Sequence, residues 1–349
     1  MSKRILITGH EGYIGSVMAP FFLDAGYEVV GLDAGFFQEC TLLSPRVQIP
    51  TLLKDIREVK ESDLEGFDVV VHLAALSNDA LGKLNSRWTK EINYEAAVHL
   101  AKCAKSAGVK RFLFSSSCIM YGMSEVSTVT EESPLNPQTD YAVSKMKCER
   151  EIAKLAGDDF SPTFLRNGTV YGLSPRMRFD TVYNNLMGMA VTTGKIVIHG
   201  DGRPWRPVIH VEDVARSFLA VLEAPISVVH NQIFNNGANH LNHQIKELAQ
   251  TVLRTVPDCK LETLSSPDAD PRTYQADFSK FARAFPDFIF KWDIHEGAKE
   301  LYNAFKAAKL TQAHFNDKRF TRIQWINYLL ETKRLDSSLR WNHKVGIEP

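Results

Sequence analysis

A tyrosine and a lysine four residues apart offer the clearest chemistry in this sequence. Tyr141 and Lys145 belong to the segment YAVSK and open a stretch with helical spacing, Tyr141–Ala156. On a helix this spacing places both side chains on one face. A phenol has an ordinary pKa of about 10, and a neighbouring ammonium pulls that pKa toward neutrality. The pair is therefore predicted to act as general acid and base, although the same motif also occurs by chance on exposed helices.

Three consecutive serines, Ser115-Ser116-Ser117, end an apolar run that predicts a buried β-strand. Open parallel sheets hold their ligands at the carboxyl ends of the strands, so a hydroxyl here would reach a bound substrate. It would hydrogen-bond a substrate oxygen while Tyr141 moves a proton. Three serines in a row leave open which hydroxyl is used, and a simple strand-end turn is the alternative for each of them.

A glycine-rich turn, TGHEGYIG at 8–15, lies between the first predicted strand and the first predicted helix. Its glycines let the backbone approach a pyrophosphate, and the helix N-terminus adds N–H donors and a positive dipole end. Asp33 ends the second predicted strand, where a carboxylate accepts hydrogen bonds from both ribose hydroxyls of an adenosine and repels a 2′-phosphate. Residues 34–37 contain no arginine to receive that phosphate. The sequence therefore predicts NAD, rather than NADP, as the cofactor.

Short apolar runs alternate with helical patterns through much of the chain. Strands are predicted at Arg4–Thr8, Glu28–Leu32, Asp68–Leu73, Arg111–Ser115, Ser161–Leu165 and Gln232–Asn235, and helices at Ile14–Ala25 and Glu91–Ala107. Near-continuous apolar strands of this kind are typical of a parallel sheet covered on both faces. The predicted fold is α/β, a doubly wound parallel sheet of the Rossmann type with a smaller C-terminal substrate-binding lobe.

This pattern also divides the chain. We expect an NAD-binding domain over 1–172 with a return segment at about 207–236, a substrate-binding lobe from 173–206 and 237–310, and a C-terminal helical tail over 311–349. The run Arg322–Leu330 in the tail predicts a helix that packs on the body of the protein or on a partner subunit.

Composition excludes several classes of function. Lys+Arg and Asp+Glu both number 41, so a zero net charge gives no argument for nucleic acid or a membrane surface as partner. No apolar run is long enough to span a bilayer, and no signal peptide is recognised. The five cysteines are odd in number and include no CxxC pair, which argues against a disulfide framework and a thiolate zinc site and favours the cytoplasm. His240 and His243 have no further ligand at a recognised spacing, so no metal site is expected.

Taken together, the motifs resemble those of the extended short-chain dehydrogenase/reductase family, the nucleotide-sugar epimerases and dehydratases. The matching elements follow the family's order over about residues 4–300. They are TGHEGYIG at 8–15, Asp33, Asp55-Ile56, HLAAL at 72–76, Asn93, SSSCIMYG at 115–122, YAVSK at 141–145, RNGTVYG at 166–172 and RPVIHVEDVA at 206–215. The tail from about 311 lies outside the resemblance.

The resemblance implies a role for each matching residue, with Ser117 as the catalytic hydroxyl, Tyr141 as the acid/base and Lys145 as its helper. Cofactor contacts are implied for Gly9, Gly12, Tyr13, Ile14, Gly15, Asp33, Asp55, Ile56, Leu73, Ala74, Ala75, Asn93, Ser115, Tyr141 and Lys145. Substrate contacts are implied for Ser117, Thr169, Asn185, Val197, His199, Arg206 and Arg272. Among these, Asn185 and the two arginines resemble residues that meet the diphosphate of a nucleotide sugar.

Two departures from the family's pattern bear on the reaction. The family's 4,6-dehydratases carry an Asp-Glu pair directly after the catalytic hydroxyl, where this chain has Cys118 and Ile119. Neither residue can perform the elimination, so dehydration is disfavoured. Thr169 stands where the family usually shows Asn, and this leaves the identity of the sugar open.

The resemblance therefore implies a nucleotide-sugar epimerase that inverts C4 through a transient 4-keto sugar. A 4-dehydrogenase or 4-ketoreductase with net redox would use the same residues and is the main alternative. A non-catalytic NAD-sensing protein is less favoured, because both Tyr141 and Lys145 are present.

A homodimer is also expected. Two helical stretches, Glu91–Ala107 and Gln138–Ala156, carry apolar stripes made of Ile92, Ala96, Val98, Leu100 and Ala104, and of Ala142, Val143, Met146 and Ile152. The resemblance implies that these helices pair with their copies in a second subunit, in a four-helix bundle with twofold symmetry. The alternative is that both stripes face only their own sheet.

Overall fold

The computed structural model of the protein describes residues 3–44, 47–77, 79–264 and 272–342. Its strands are β1 (Arg4–Thr8), β2 (Glu28–Asp33), β3 (Thr51–Leu53), β4 (Val69–His72), β5 (Arg111–Ser117), β6 (Met123–Val129), β7 (Ser161–Asn167), β8 (Thr169–Tyr171), β9 (Lys195–His199), β10 (Trp205–His210), β11 (Gln232–Asn236), β12 (Asn242–Gln244), β13 (Lys260–Leu264) and β14 (Thr273–Ala276). Its α-helices are α1 (Gly15–Asp24), α2 (Asp79–Leu84), α3 (Ser86–Trp88), α4 (Ala96–Ser106), α5 (Asp140–Ala153), α6 (Val182–Thr193), α7 (Val211–Glu223), α8 (Ile226–Val229), α9 (Ile245–Thr255), α10 (Ser279–Ala284), α11 (Ile294–Ala307), α12 (Gln312–Phe315) and α13 (Arg322–Glu331).

Seven strands form a central parallel sheet in the order β11-β7-β5-β4-β1-β2-β3. Alternate residues of each strand enter different cores, as in β1, where Leu6 packs on one face while Ile5 and Ile7 pack on the other. This burial on both faces explains the near-continuous apolar runs. All six predicted strands lie in this sheet, and the predicted fold class is confirmed. The seventh strand, β3, is a short edge strand with exposed side chains, so its sequence has no apolar run to predict it.

A separate hydrophobic core supports the lobe above the sheet. Leu186 of α6, Leu248 of α9 and Leu301 of α11 all belong to it. Within the predicted return segment, β11 joins the central sheet, whereas β10 pairs with β8 and β12 in a small sheet of its own.

The tail folds back onto the same subunit. The predicted helix is confirmed as α13, whose Trp325, Ile326 and Leu329 join the core on one face of the central sheet. Leu335 and Leu339 extend this contact beyond the helix. Residues 343–349 of the predicted tail lie outside the described residues. None of the helices in the described part of the chain has the length and apolarity needed to cross a bilayer.

The two helices predicted to form a dimer interface pack against each other, and most of their apolar stripes face inward. The stretch Glu91–Ala107 begins as a π-helix, Thr89–Glu95, and continues as α4. Six of the nine stripe residues are buried within the subunit: Ile92, Ala96, Leu100, Ala104, Ala142 and Ile152. The other three, Val98, Val143 and Met146, are partly exposed, and the predicted dimer contact therefore rests on them.

Candidate active site

A cavity of about 710 Å³ lies at the carboxyl ends of β1, β2, β4 and β5, between the sheet and the lobe. It brings together nearly all of the residues singled out in the sequence. Those in its wall are Gly9, Gly12, Tyr13, Ile14, Gly15, Asp33, Asp55, Ile56, Leu73, Ala74, Ala75, Ser115, Ser117, Tyr141, Lys145, Thr169, Asn185, Val197, His199, Arg206 and Arg272.

Asn93 is the predicted site residue that does not line the cavity. Its side chain is buried, and its amide forms two hydrogen bonds with the main chain of Leu76, at 2.7 Å to the nitrogen and 3.0 Å to the oxygen. Leu76 continues the segment that lines the cavity after β4. Asn93 thus fixes the shape of the wall from behind.

The predicted catalytic residues Ser117, Tyr141 and Lys145 lie together in the cavity, at what we call its catalytic end. All three serines that the sequence left equivalent line the cavity, but their hydroxyls are engaged differently. The Ser115 hydroxyl accepts the Asn167 side-chain amide at 3.0 Å. The Ser116 hydroxyl donates to Glu149 at 2.5 Å, in the buried interior. Ser117 is the one of the three that is partly exposed, and its hydroxyl caps a short 3₁₀ turn by accepting the main-chain N–H of Ile119 at 3.3 Å. Ser117 is therefore the serine placed to meet a ligand oxygen at the end of β5.

Helix α5 carries the tyrosine and the lysine. It begins at Asp140, where the Thr139 side chain accepts the N–H of Ala142 and caps the helix. The Lys145 ammonium donates to the main-chain oxygen of Ser115 at 2.7 Å and lies 5.7 Å from the centre of the Tyr141 ring. Burial lowers the pKa of Lys145 to about 8. The charge that would favour a phenolate is thus anchored beside the phenol.

A buried ion pair lies beneath this end of the cavity. The Arg166 guanidinium donates to the Glu149 carboxylate at 2.7 Å and to the Tyr121 hydroxyl at 2.8 Å. Glu149 also accepts the Ser116 hydroxyl, so the network fixes the strand that presents Ser117. The Cys118 thiol donates to the main-chain oxygen of Arg166 at 3.1 Å, and burial raises its pKa. It points into this network, away from the cavity.

At the opposite end, the Asp33 carboxylate accepts two main-chain N–H groups, from Gly35 at 2.9 Å and from Glu11 at 3.1 Å. Burial raises its pKa. Asp55, in the same region, is paired with Arg57 at 2.6 Å. Asp33 is the last residue of β2, and Asp55 lies in the turn that follows β3.

The lobe side of the cavity carries the residues predicted to contact the substrate. The Asn185 amide donates to the main-chain oxygen of Phe179 at 2.8 Å, whereas the neighbouring Asn184 is fully buried and bonded to the Tyr13 hydroxyl. Arg206 donates to the main-chain oxygen of Arg272, which holds the two arginines side by side.

Comparison with known proteins places the chain in a family. Residues 5–237 match the model of the NAD dependent epimerase/dehydratase family. The chain belongs to that family. It is accordingly an NAD-dependent enzyme of the extended short-chain dehydrogenase/reductase type, and the predicted family and cofactor are confirmed.

The relatives include both epimerases and dehydratases. UDP-glucose 4-epimerase of Bacillus subtilis is 30% identical over 261 residues, which cover 67% of this chain and 76% of the relative. Human dTDP-D-glucose 4,6-dehydratase is 26% identical over 275 residues, 75% of this chain and 77% of the relative. A solved UDP-N-acetylglucosamine 4-epimerase from Methanobrevibacter ruminantium M1 superposes with a TM-score of 0.77 at 24% identity, over 88% of this chain and 99% of that one. The structural likeness supports the fold.

The residues present fit NAD. Gly9 has φ +73°, and a Cβ there would lie 2.7 Å from the main-chain nitrogen of Ala74, so a side chain is excluded where a backbone cradle is needed. Helix α1 begins directly after this turn, and its first residue, Gly15, lines the cavity, where a helix N-terminus favours an anion. The Asp33 oxygens each retain acceptor capacity for a ribose hydroxyl.

Several charged residues in the cavity wall were missed by sequence reasoning. Arg178 is almost completely buried, pairs with Asp180 at 2.8 Å and donates to the Ser77 hydroxyl at 2.8 Å. Arg322, from the tail, also lines the cavity. The dense charges of PRMRFD at 175–180 were a signal for the first pair. No local signal pointed to Arg322, because the tail lies outside every recognised motif.

Proposed function

We propose that the enzyme is a nucleotide-sugar 4-epimerase in which Ser117, Tyr141 and Lys145 perform the proton transfer. The observation that carries the proposal is the shared cavity, in which these three side chains and the cradle for NAD are brought together. Cys118 points away from this cavity and Ile119 offers it only an alkyl chain, so the two positions after Ser117 supply no acid/base pair for elimination. The relatives that are named 4-epimerases support the same reaction.

The residues of the chain account for the proton movements. Tyr141, as phenolate, takes the proton of the C4 hydroxyl, and the Lys145 ammonium stabilises the phenolate charge. The Ser117 hydroxyl holds the same sugar oxygen through a hydrogen bond. The chemistry that bound NAD would supply is hydride transfer from C4 and back to it. If the keto sugar turns in the cavity before that return, Tyr141 gives its proton back to an inverted C4 oxygen.

The remaining site residues are proposed to hold the two ligands. Asp33 accepts hydrogen bonds from the ribose hydroxyls of the cofactor, and Asp55 and Ile56 lie along its adenine. On the lobe side, Asn185 and the arginines Arg206 and Arg272 meet the substrate diphosphate, a dianion for which guanidinium groups are well suited. The nucleobase lies against Val197 and His199, and the sugar contacts Thr169, as proposed from the family pattern.

A substrate screen tests the proposed reaction. The purified enzyme, loaded with NAD, is incubated with UDP-, GDP-, CDP- and dTDP-sugars, and the products are followed by NMR. We expect inversion at C4 with the NAD that is already bound and with no further cofactor in solution. Stoichiometric consumption of added NAD or NADH would instead show net redox, and loss of water would show a dehydratase. Either of these results would overturn the epimerase proposal.

Ser117→Ala is expected to slow inversion less than Tyr141→Phe, since it removes a hydrogen bond and leaves the proton carrier.

A further inference from the structure

The tail is fastened to the loop that follows Asp33. The Trp325 indole N–H donates to the main-chain oxygen of Phe36 at 2.6 Å, and the Trp341 indole N–H donates to that of Ala34 at 2.5 Å. The Trp341 ring also packs edge-on against the Phe36 ring, with centroids 5.8 Å apart. Ala34 and Phe36 both line the cavity, so the tail holds a part of its wall.

The same segment is fastened to the turn that contains Asp55. Here the tail accepts the hydrogen bonds instead of donating them. The Arg57 side chain donates to the main-chain oxygens of Ser338 at 2.7 Å and Leu339 at 2.8 Å. The Arg340 guanidinium lies 3.4 Å from the Asp55 carboxylate and also pairs with Glu58. The tail therefore joins 34–37 to 55–58, the two loops at what we call the adenosine end of the cavity.

Arg322 brings a positive charge from the tail into the cavity wall. Only 3% of this residue is exposed. Its guanidinium donates to the main-chain oxygen of Arg176 at 3.1 Å and lies 4.3 Å from the centre of the Phe37 ring. Burial and the neighbouring Arg178 lower its pKa to about 10. The buried arginine therefore stands between the loop after β2 and Arg176, which is itself paired with Glu11 of the glycine turn.

Arg322 is a third guanidinium beside two arginines that already have carboxylate partners. Arg178 pairs with Asp180 in the cavity wall, and Arg176 pairs with Glu11 behind it. Asp180 also accepts the main-chain N–H of Arg322, and Asp33 accepts that of Glu11. A buried cation gains most from an anionic ligand held at close range. The nearest proposed anion is the pyrophosphate above the glycine turn.

We propose that Lys318–Asn342 forms a C-terminal clamp that retains NAD. In this proposal the clamp keeps the loops 34–37 and 55–58 closed around the adenosine, and Arg322 stabilises the pyrophosphate. Release of NAD then requires contacts of the clamp to break. An enzyme that returns its hydride to the same sugar benefits from a retained cofactor. The proposal depends on NAD as the cofactor and is independent of which sugar reaction the enzyme performs.

The rate of NAD release tests the clamp directly. The full chain is loaded with NADH, mixed with excess NAD, and the loss of bound NADH fluorescence is followed by stopped flow. The double variant Arg340→Gln/Trp341→Phe removes contacts to both loops and retains an aromatic ring against Phe36. We expect its release rate to rise about tenfold or more, the size that follows from losing a charge-assisted hydrogen bond. An unchanged rate would overturn the clamp.

Arg319→Gln is the matched control. Arg319 pairs with Asp317 inside the tail, so the same chemical change leaves both loops fastened. Its release rate should equal that of the wild type. Thermal unfolding of all variants without cofactor separates retention from folding. If the control and the double variant accelerate release equally, the effect is one of tail stability, and the clamp is again overturned.

Arg322 has its own test, because a second anion, the substrate diphosphate, has the same chemistry. Calorimetric titrations of Arg322→Met with NAD and, separately, of the NAD-loaded enzyme with UDP distinguish the two. We expect NAD affinity to fall about tenfold or more with UDP affinity unchanged, and Arg322→Lys to recover part of the loss. A fall in UDP affinity alone would assign Arg322 to the substrate and contradict its place in the clamp.

Discussion

The two ends of the cavity are built in different ways. At the catalytic end, one strand presents Ser117 and one helix presents Tyr141 and Lys145, and the functional groups come from segments close together in the chain. At the adenosine end, the loops after β2 and β3 are held by a tail whose tryptophans lie 289 and 307 residues away in sequence from the carbonyl groups they bind. The first end is set by local structure, and the second depends on the completed fold. Changes at the catalytic end should therefore affect turnover, whereas changes at the adenosine end should affect cofactor affinity.

The largest expected effect is at the catalytic end. Tyr141→Phe removes the proposed proton carrier and should lower kcat by roughly 10²-fold or more, as for other positioned acid/base groups. The NAD dissociation constant should stay nearly unchanged, because the ring remains. Tyr302→Phe, a phenol in the lobe, is the control. Full activity of the Tyr141 variant would show that this residue is not the proton carrier. It would also contradict the expectation that changes at the catalytic end affect turnover.

The buried network below the catalytic end supports its geometry. Arg166→Met leaves the Glu149 carboxylate buried without its partner and should lower the free energy of unfolding by about 3–5 kcal/mol. Urea denaturation measures the loss. The exposed Arg150→Met in α5 should change stability by less than about 0.5 kcal/mol. The double variant Glu149→Leu/Arg166→Met should recover much of the loss. Equal stability of the Arg166 and Arg150 variants would contradict a supporting role for the ion pair.

A change at the adenosine end should act on the cofactor alone. Asp33→Asn weakens the acceptors proposed for the ribose hydroxyls and should lower NAD affinity roughly 10- to 100-fold, the range for hydrogen bonds to a charged group. Asp24→Asn, on the exposed end of α1, should leave it unchanged. Calorimetry with NAD and NADP makes the comparison. The wild type should prefer NAD, and equal or tighter binding of NADP would refute the role given to Asp33.

The pH dependence sharpens the assignment of Lys145. Because burial lowers its pKa to about 8, this lysine loses its proton as the pH rises through about 8. Its ammonium then no longer favours the Tyr141 phenolate, so kcat/KM of the free enzyme should fall above that pH. Lys145→Arg keeps its charge and should move the fall to higher pH. A profile with the same alkaline limb in both enzymes would assign the limb to another group.

The smallest effect is expected on the outer surface of α5. Met146 is one of three stripe residues that remain partly exposed, and Met146→Glu should lower the dimer fraction and reduce activity modestly. Arg150→Glu, at an exposed position of the same helix, is the control. Light scattering at micromolar concentration measures the mass. A wild-type monomer under these conditions would refute the predicted dimer.

Local pattern predicted much of the fold and of the site. The strands of the central sheet were readable because burial on both faces demands continuous apolar residues, which leave a signature over a few positions. The glycine turn, Asp33 and the pair Tyr141 and Lys145 were readable for a similar reason, since each is defined by spacing along one strand, turn or helix. The edge strand β3 escaped because its exposed side chains carry no such signature.

Only the tertiary structure decided the contacts between segments that are distant in the sequence. It placed Asn93 behind the cavity wall, turned most of the stripes on the helices around Ala96 and Ala142 inward, and brought Arg322 beside the loop after β2. Hydrogen bonds and ion pairs across hundreds of residues obey no periodicity, because their partners are chosen by the packing of the whole chain. The sequence alone thus predicted the sheet and the candidate reactive groups, while the folded chain alone showed that the tail contacts both loops at the adenosine end.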